Sequence, residues 1–267
     1  MPHTLLIRLD GPLQSWGVTS RYARRDSLDH PSKSGVVGIC AAALGRPRDA
    51  SIADLAALRF GVLVVDPGRS LDDYHTVSNV VRANRAQRVD VSPPHLVGRR
   101  TAHQVARAGA LPSSGDTSGG LKSTELTHRR YIADAAFVAG LEGDEHLLGQ
   151  VLAALMAPRF MGGLGRASCL PAAPLWFGER DDRGLVPGTL EEAFAAFGAD
   201  ADTWLQRRQA GERERALRAS ARRVIVECSP EEATLRTADQ PTENAFSTRR
   251  FGTRYSRSYP LEVTADA

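Results

Sequence analysis

Apolar and polar positions divide the chain into short, well-separated runs, and the first of them organises the rest. Leu5-Leu6-Ile7-Arg8-Leu9 is an apolar run closed by Asp10-Gly11-Pro12, which predicts a strand over 5–9 ended by turn residues. Ser32-Lys33-Ser34 then opens Gly35-Val36-Val37-Gly38-Ile39-Cys40-Ala41-Ala42-Ala43-Leu44. That run is apolar all round, so a largely buried helix is expected over 33–44, with Ser32 or Ser34 as its N-cap and Gly45 as its left-handed stop. Gly35 and Gly38 share one face of it, where another backbone, protein or nucleic acid, can come close. Between strand and helix lies Gln14-Ser15-Trp16-Gly17, then Arg21, Arg24 and Arg25: a long loop rich in functional groups, compatible with a structural or a binding role.

Later runs extend the pattern. A short helix is expected over 51–58, an apolar strand over 60–66 before Pro67-Gly68, and a half-exposed alternating strand over 72–77. From residue 79 to about 123 arginine, glycine, proline and serine take over, which predicts a long excursion from the body. Residues 129–141 read as one long strand. Asp144 caps a helix carrying Leu147, Leu148, Val151, Leu152, Leu155 and Met156 at helical spacing. Residues 189–197 suit a short amphipathic helix, 200–221 a charged solvated helical insert, and 222–228 the last core strand, followed by a polar loop and an Arg/Tyr tail. The core order is then βαββαβ, the plan of a ferredoxin-like α+β fold: an antiparallel sheet backed by two helices, which RNA-recognition domains use to present a sheet face and loops. The expected organisation is a single elaborated domain, with body 1–78 and 123–267, a thumb-like excursion over 79–122 and a C-terminal extension.

Composition narrows the chemistry. The 267 residues suffice for a full core, and 42% hydrophobic with 24% charged residues is ordinary for a globular protein. A net charge of only +3 argues weakly for a polyanionic partner, but its distribution argues better. Arginines stand at 82, 85, 88, 99, 100 and 107 against the single acid Asp90, and Arg249, Arg250, Arg254 and Arg257 crowd the tail. Cys40, Cys169 and Cys228 are far apart and form no C-x-x-C pair, so reduced thiols and a cytoplasmic location are expected. No metal or cofactor is expected: no histidine pairs with a cysteine at ligand spacing, and Arg159-Phe160-Met161-Gly162-Gly163-Leu164-Gly165-Arg166 matches neither a Walker loop nor G-x-G-x-x-G. No apolar run nears the roughly 20 residues of a membrane span, so no membrane contact is expected.

Ile7-Arg8-Leu9-Asp10-Gly11-Pro12-Leu13-Gln14-Ser15-Trp16-Gly17, together with Pro31-Ser32-Lys33-Ser34-Gly35-Val36-Val37-Gly38, closely resembles the amino-terminal signature of the CasD family, the fifth-numbered family of CRISPR-associated proteins in its type I-E Cascade form. Asp73-Tyr74-His75-Thr76-Val77, Gly120-Leu121-Lys122-Ser123, Arg130-Tyr131-Ile132 with Asp134 and Phe137, Pro158-Arg159, Gly165-Arg166 with Cys169, and Arg250-Phe251 with Arg254 follow in the family's order. The resemblance implies a non-catalytic RNA-binding subunit with a ferredoxin-like body and a thumb. It would grip the 5′ handle of the CRISPR guide RNA, cap the backbone filament, contact the large PAM-recognising subunit, and meet target DNA only indirectly. This chain departs from the family in the length of the 79–122 excursion and in the 204–218 insert, so thumb residues do not carry over one by one.

Single-stranded RNA offers phosphates to Arg and Lys and splayed bases to aromatic or guanidinium planes. Gln14, Ser15 and Trp16 are candidates near a base, Trp16 equally a loop anchor. Lys33 and Ser34 at a helix start suit a phosphate, or Ser34 a simple cap. Arg159, Gly163, Gly165 and Arg166 suit an RNA path or a tight turn. Arg21, Arg24, His75, Arg82, Arg85, Lys122, Arg130, Arg250 and Arg254 complete the candidate contacts. Two alternatives stay open: a metal-independent endoribonuclease using His75, Tyr74, Lys122, His128 and Tyr131 around a 2′-hydroxyl, and a protein-only scaffold whose basic clusters meet acidic partners.

Overall fold

A computed structural model describes residues 1–18, 24–78, 124–178, 181–206, 222–248 and 250–261. The excursion over 79–122, the insert beyond residue 206, and the candidates Arg21, Arg82, Arg85 and Lys122 lie outside the described residues. Two compact units emerge: Met1–Asp73 with Arg129–Ala267, and Tyr74–His128.

In the larger unit the first apolar run forms β1 (His3–Asp10), and the Ser-opened run forms α1 (Lys33–Ala43). Ser32, not Ser34, is the cap: its Oγ accepts the Gly35 N–H at 3.2 Å, and Gly45 closes the helix at φ 76°. α2 (Ala53–Ala57) leads into β4 (Arg59–Asp66), after the two-residue strands β2 (Leu13–Gln14) and β3 (Arg24–Arg25). β5 (Arg69–Ser78) pairs with β6 (Thr124–Ala133). The strand expected over 129–141 is in fact two: β6 ends, and β7 (Ala136–Gly143) begins, around Asp134. Asp134 sits at φ 57°, a left-handed conformation that Asp tolerates better than most residues, and its N–H donates to the Pro12 carbonyl at 3.1 Å. α3 (Glu145–Met156) is capped by Asp144, whose Oδ2 accepts the Leu147 N–H at 3.0 Å.

The remaining elements are β8 (Leu185–Pro187), α4 (Leu190–Gln206), β9 (Arg223–Glu227), β10 (Leu235–Pro241), α5 (Ala245–Thr248) and β11 (Phe251–Pro260). Among the described residues the main sheet has seven strands, ordered β10-β11-β9-β4-β7-β1-β8, and its registers are antiparallel. β1 and β4 flank β7, so they run parallel, with α1 and α2 as their crossover. β7 and β8 likewise flank β1, with α3 as theirs. Two expectations are corrected here. The strand beside β1 is the three-residue β8; the run at 222–228 instead extends the opposite side of the sheet, next to β4. Nor is that run the last strand, because the Arg/Tyr tail forms β11, which lies inside the sheet between β9 and β10.

Alternation along the strands fills two cores. Leu5, Ile7 and Leu9 of β1, with Phe60, Val62 and Val64 of β4, face α1 and α3. Leu6, Leu63, Val65 and Val138 face the other way, against Leu190, Phe194 and Phe197 of α4. α4 is therefore longer than the short helix expected over 189–197, and it covers the sheet face that an RNA-recognition plan would leave open. The close approach depends on a cross-strand glycine pair, Gly61 opposite Gly140, where a Cβ on either would stand 2.8 Å from the Phe194 ring. Phe194→Ala empties that slot and is expected to cost about 3–5 kcal/mol in urea unfolding; a loss below about 1 kcal/mol would show that α4 does not seal this face.

Candidate nucleic-acid interface

The loop that looked most functional in sequence turns inward. Gln14 is fully buried: its Nε2 donates to the carbonyls of Leu9 and Ala135, both at 3.0 Å, and its Oε1 accepts the Trp16 indole N–H at 3.1 Å. Ser15 donates from Oγ to the Arg130 carbonyl at 2.9 Å, and Trp16 is fully enclosed. A Cβ at Gly35 would stand 2.8 Å from the Trp16 ring, so that helix glycine admits an indole, and Gly38 faces Phe246. These three residues hold the loop to the body; none is placed to meet a base.

Lys33 and Arg254 also move from surface to interior. The Lys33 ammonium lies 3.0 Å from Glu227 Oε2 with its side chain 2% exposed, and burial pulls its pKa below the usual lysine value against the pull of Glu227. The backbone N–H of Lys33, the amide expected to meet a phosphate, donates to Asp239 Oδ2 at 2.7 Å. Asp239 is in turn gripped by Arg254 through Nε at 2.9 Å and Nη2 at 3.0 Å, the pair wholly buried. The helix start thus carries the anion its dipole favours, supplied by the protein's own β10. Ser34 is half-buried on the first turn.

Several of the remaining candidates lie about the glycine-rich loop. Its start is fastened to the end of α1, the N–H groups of Arg159 and Phe160 donating to the carbonyls of Ala43 and Ala42 at 3.0 and 3.2 Å. Its middle is fastened to the Gln14–Trp16 loop, the Ser15 N–H donating to the Leu164 carbonyl at 3.0 Å. Gly165, at φ 84°, presses so close to Ser15 that an added Cβ would stand 1.9 Å from its carbonyl oxygen. The amides of Leu164 and Gly165 bond to Cys169 and Gly163. Gly163 and Gly165 therefore serve a tight turn.

Arg166 leaves that turn and stacks over the Tyr131 ring at 4.7 Å, donating from Nη2 to the Arg25 carbonyl at 3.0 Å. Its Nη1, and Nε of the neighbouring Arg129, are enclosed and have no hydrogen-bond partner among the described residues. Arg130 is exposed and donates to Asp72 at 3.2 Å, and Arg159 and Arg250 are exposed. The fold thus brings Arg25, Arg129, Arg130, Tyr131 and Arg166 into one neighbourhood. Only the backbone of Arg24, in β3, is described. In the smaller unit His75 is exposed on β5, and Tyr74 meets the His128 ring edge-on at 5.0 Å. Sequence reasoning missed Arg48, Phe160 and Phe251 as surface features. The adjacent Phe160 and Met161, 57% and 75% exposed, sit between arginines in the sequence and were the available signal.

An α/β protein with both sheet faces covered, and with Arg130, Arg159 and Arg166 unburied beside an anchored glycine turn, is a class suited to binding through loops. The chain belongs to the family described as CRISPR-associated protein (Cas_Cas5), which it matches over residues 4–257. It is 30% identical over 190 residues to the CRISPR system Cascade subunit CasD of Escherichia coli (strain K12), covering 65% of this chain and 70% of that one. A solved structure titled "Crystal structure of Cas protein" is similar at TM-score 0.62 and 32% identity, over 97% of this chain and 94% of that one. A chain of a "CRISPR RNA-guided surveillance complex" is similar at TM-score 0.60 and 26% identity, over 98% and 91%.

Arg254→Met leaves Asp239 buried without its cation and is expected to cost about 3–5 kcal/mol in urea unfolding. Unchanged stability with weakened RNA binding would return Arg254 to the surface role its sequence position suggested.

Proposed function

We propose that the chain is a non-catalytic, RNA-binding subunit of a Cascade-type surveillance complex, gripping the 5′ handle of the CRISPR guide RNA, capping the backbone filament and contacting the large PAM-recognising subunit. The observation that carries the RNA contact is the exposed Arg130 and Arg159 beside the glycine turn, with the half-buried Arg166 stacked on Tyr131 between strand and loop. Such a plane-and-cation pair suits a phosphate and its neighbouring base. Membership of the CRISPR-associated family, and likeness to a Cascade subunit and to a chain of a guided surveillance complex, support the assembly. Target DNA is met only through the guide. A cytoplasmic setting belongs to the same proposal; the cysteines are free thiols, and burial pushes that of Cys40 up to about 12.

We also propose that the framework β1-α1-β4-β7-α3-β8 is a ferredoxin-like core, its two crossovers sharing one sheet, with β9, β10 and β11 as the C-terminal extension. With α4 over one face and α1 and α3 over the other, RNA reaches the edges and loops of this core.

RNA binding is expected to weaken linearly in log salt with a slope of about −0.7 per phosphate neutralised. Arg159→Ala/Arg166→Ala is expected to lower affinity and flatten that slope, with melting temperature as the control for folding. An unaltered slope in the double variant would refute the path over this loop.

Among the described residues, Tyr74 against His128, with His75 on the same strand as Tyr74, is the arrangement that favours an RNA-cleaving reading. Purified protein incubated with labelled repeat RNA in EDTA is expected to leave it intact. Site-specific cleavage that disappears in His128→Ala would establish the nuclease instead.

A further inference from the structure

Beyond the arginine cluster, a cleft of about 630 Å³ opens where the turn after α1 faces the start of the glycine-rich loop and the C-terminal segment. Its floor is the small-residue face of α1, Gly38, Ala41 and Ala42, and Phe160, Phe246 and Phe251 stand round it. Arg46 and Arg48 line its mouth, and no acid does. The two arginines differ. Arg46 is neutralised by a two-pronged pair with Asp54, whereas Arg48 is exposed and has no ion pair among the described residues. Arg159 and Arg250, next to the lining residues Phe160 and Phe251 in sequence, are exposed as well.

A floor without bulky side chains, aromatic rings at the sides and a cation at the mouth suit a flat ring with a phosphate attached. The volume lies within the 300–1,000 Å³ common for small-ligand sites. An extended peptide is served less well. The floor is a helix whose backbone groups are bonded internally, so it offers no strand edge for a peptide to extend. Phe160 belongs to the same loop as Arg159 and Arg166, so a strand lying along that loop reaches the cleft.

Resting on the RNA-binding reading above, we propose that this cleft receives one unstacked base of the single-stranded guide segment, with its phosphate at Arg48. Nothing in the family match or in the sequence pattern assigns this role to Phe160, Phe251 or Arg48. Stacking on aromatic side chains is sequence-tolerant, because every base has a π-face, so the cleft fixes the position of one nucleotide rather than its identity.

The test uses the full chain and synthetic RNAs of the guide 5′ segment, each carrying one abasic position, read by fluorescence anisotropy. One position is expected to lower wild-type affinity roughly tenfold. That penalty is expected to vanish in Phe160→Ala and in Phe251→Ala, whose side chains are 57% and 36% exposed and so tolerate truncation. Arg48→Ala is expected to weaken intact and abasic RNA alike. Salt-dependent RNA binding with the same abasic profile in wild type and both phenylalanine variants would overturn the cleft and leave the RNA-binding reading standing. Absence of salt-dependent binding would overturn both. Unchanged RNA affinity in Phe160→Ala, with loss of co-purifying neighbour subunits, would assign the cleft to a protein and overturn the proposal.

Discussion

The carboxylate of Asp239 is the interaction on which the arrangement depends. It sits at the amino end of α1, accepting the Lys33 N–H, and is held from the other side by Arg254. Charge of that sign at a helix start is favourable, and a buried pair of this kind is costly to break from one side. Beside it Glu227 takes the Lys33 ammonium and accepts the Phe60 N–H at 3.0 Å, while the Glu227 carbonyl accepts from Arg59 Nε at 3.1 Å. The first helix is thereby fixed to β4, β9, β10 and β11, which joins the two ends of the chain.

That internal clamp limits where the proposed nucleic-acid contact can lie. The anion slot of α1 is filled from within, both faces of the main sheet are covered by helices, and the Gln14–Trp16 loop is committed to holding Trp16 and the glycine turn. Among what the fold leaves at the surface are the turn itself, the arginines beside it, and the aromatic cleft that Phe160 lines. In the proposed function, binding chemistry is thus displaced from the sheet face to loops braced by it, which is where rigid scaffolds usually carry function.

Much of the scaffold was legible in the sequence because it rests on local rules. The Ser32/Ser34 pair, Gly45 and Asp144 marked helix ends, with Ser32 of the pair the actual cap, since capping and left-handed stops depend on neighbours only a few residues away. The break at Asp134 was hidden inside an apolar run, for only its bond to Pro12, remote in sequence, reveals why the chain turns there. β11 reads as an Arg/Tyr tail because Arg254 is an interior cation, and nothing local announces that Asp239 lies opposite it. The site suffered from the same limit. Lys33, Gln14 and Ser15 carry groups that suit RNA, and the partners that hold them, Glu227, Ala135 and the Arg130 carbonyl, come from far along the chain. Arg166 and Arg159 stayed outside, and the exposed Phe160 between them was the apolar signal that periodicity passed over.

The central claim is that RNA is held by the glycine-turn surface while the start of α1 serves the fold. Hydrogen–deuterium exchange of the chain with and without guide RNA tests it most directly. RNA is expected to slow exchange across residues 159–170 and around Arg129 and Arg130, while the amides at 33–36 are protected already in the free protein and do not change. New protection at 33–36, with residues 159–170 unaffected, would contradict the account.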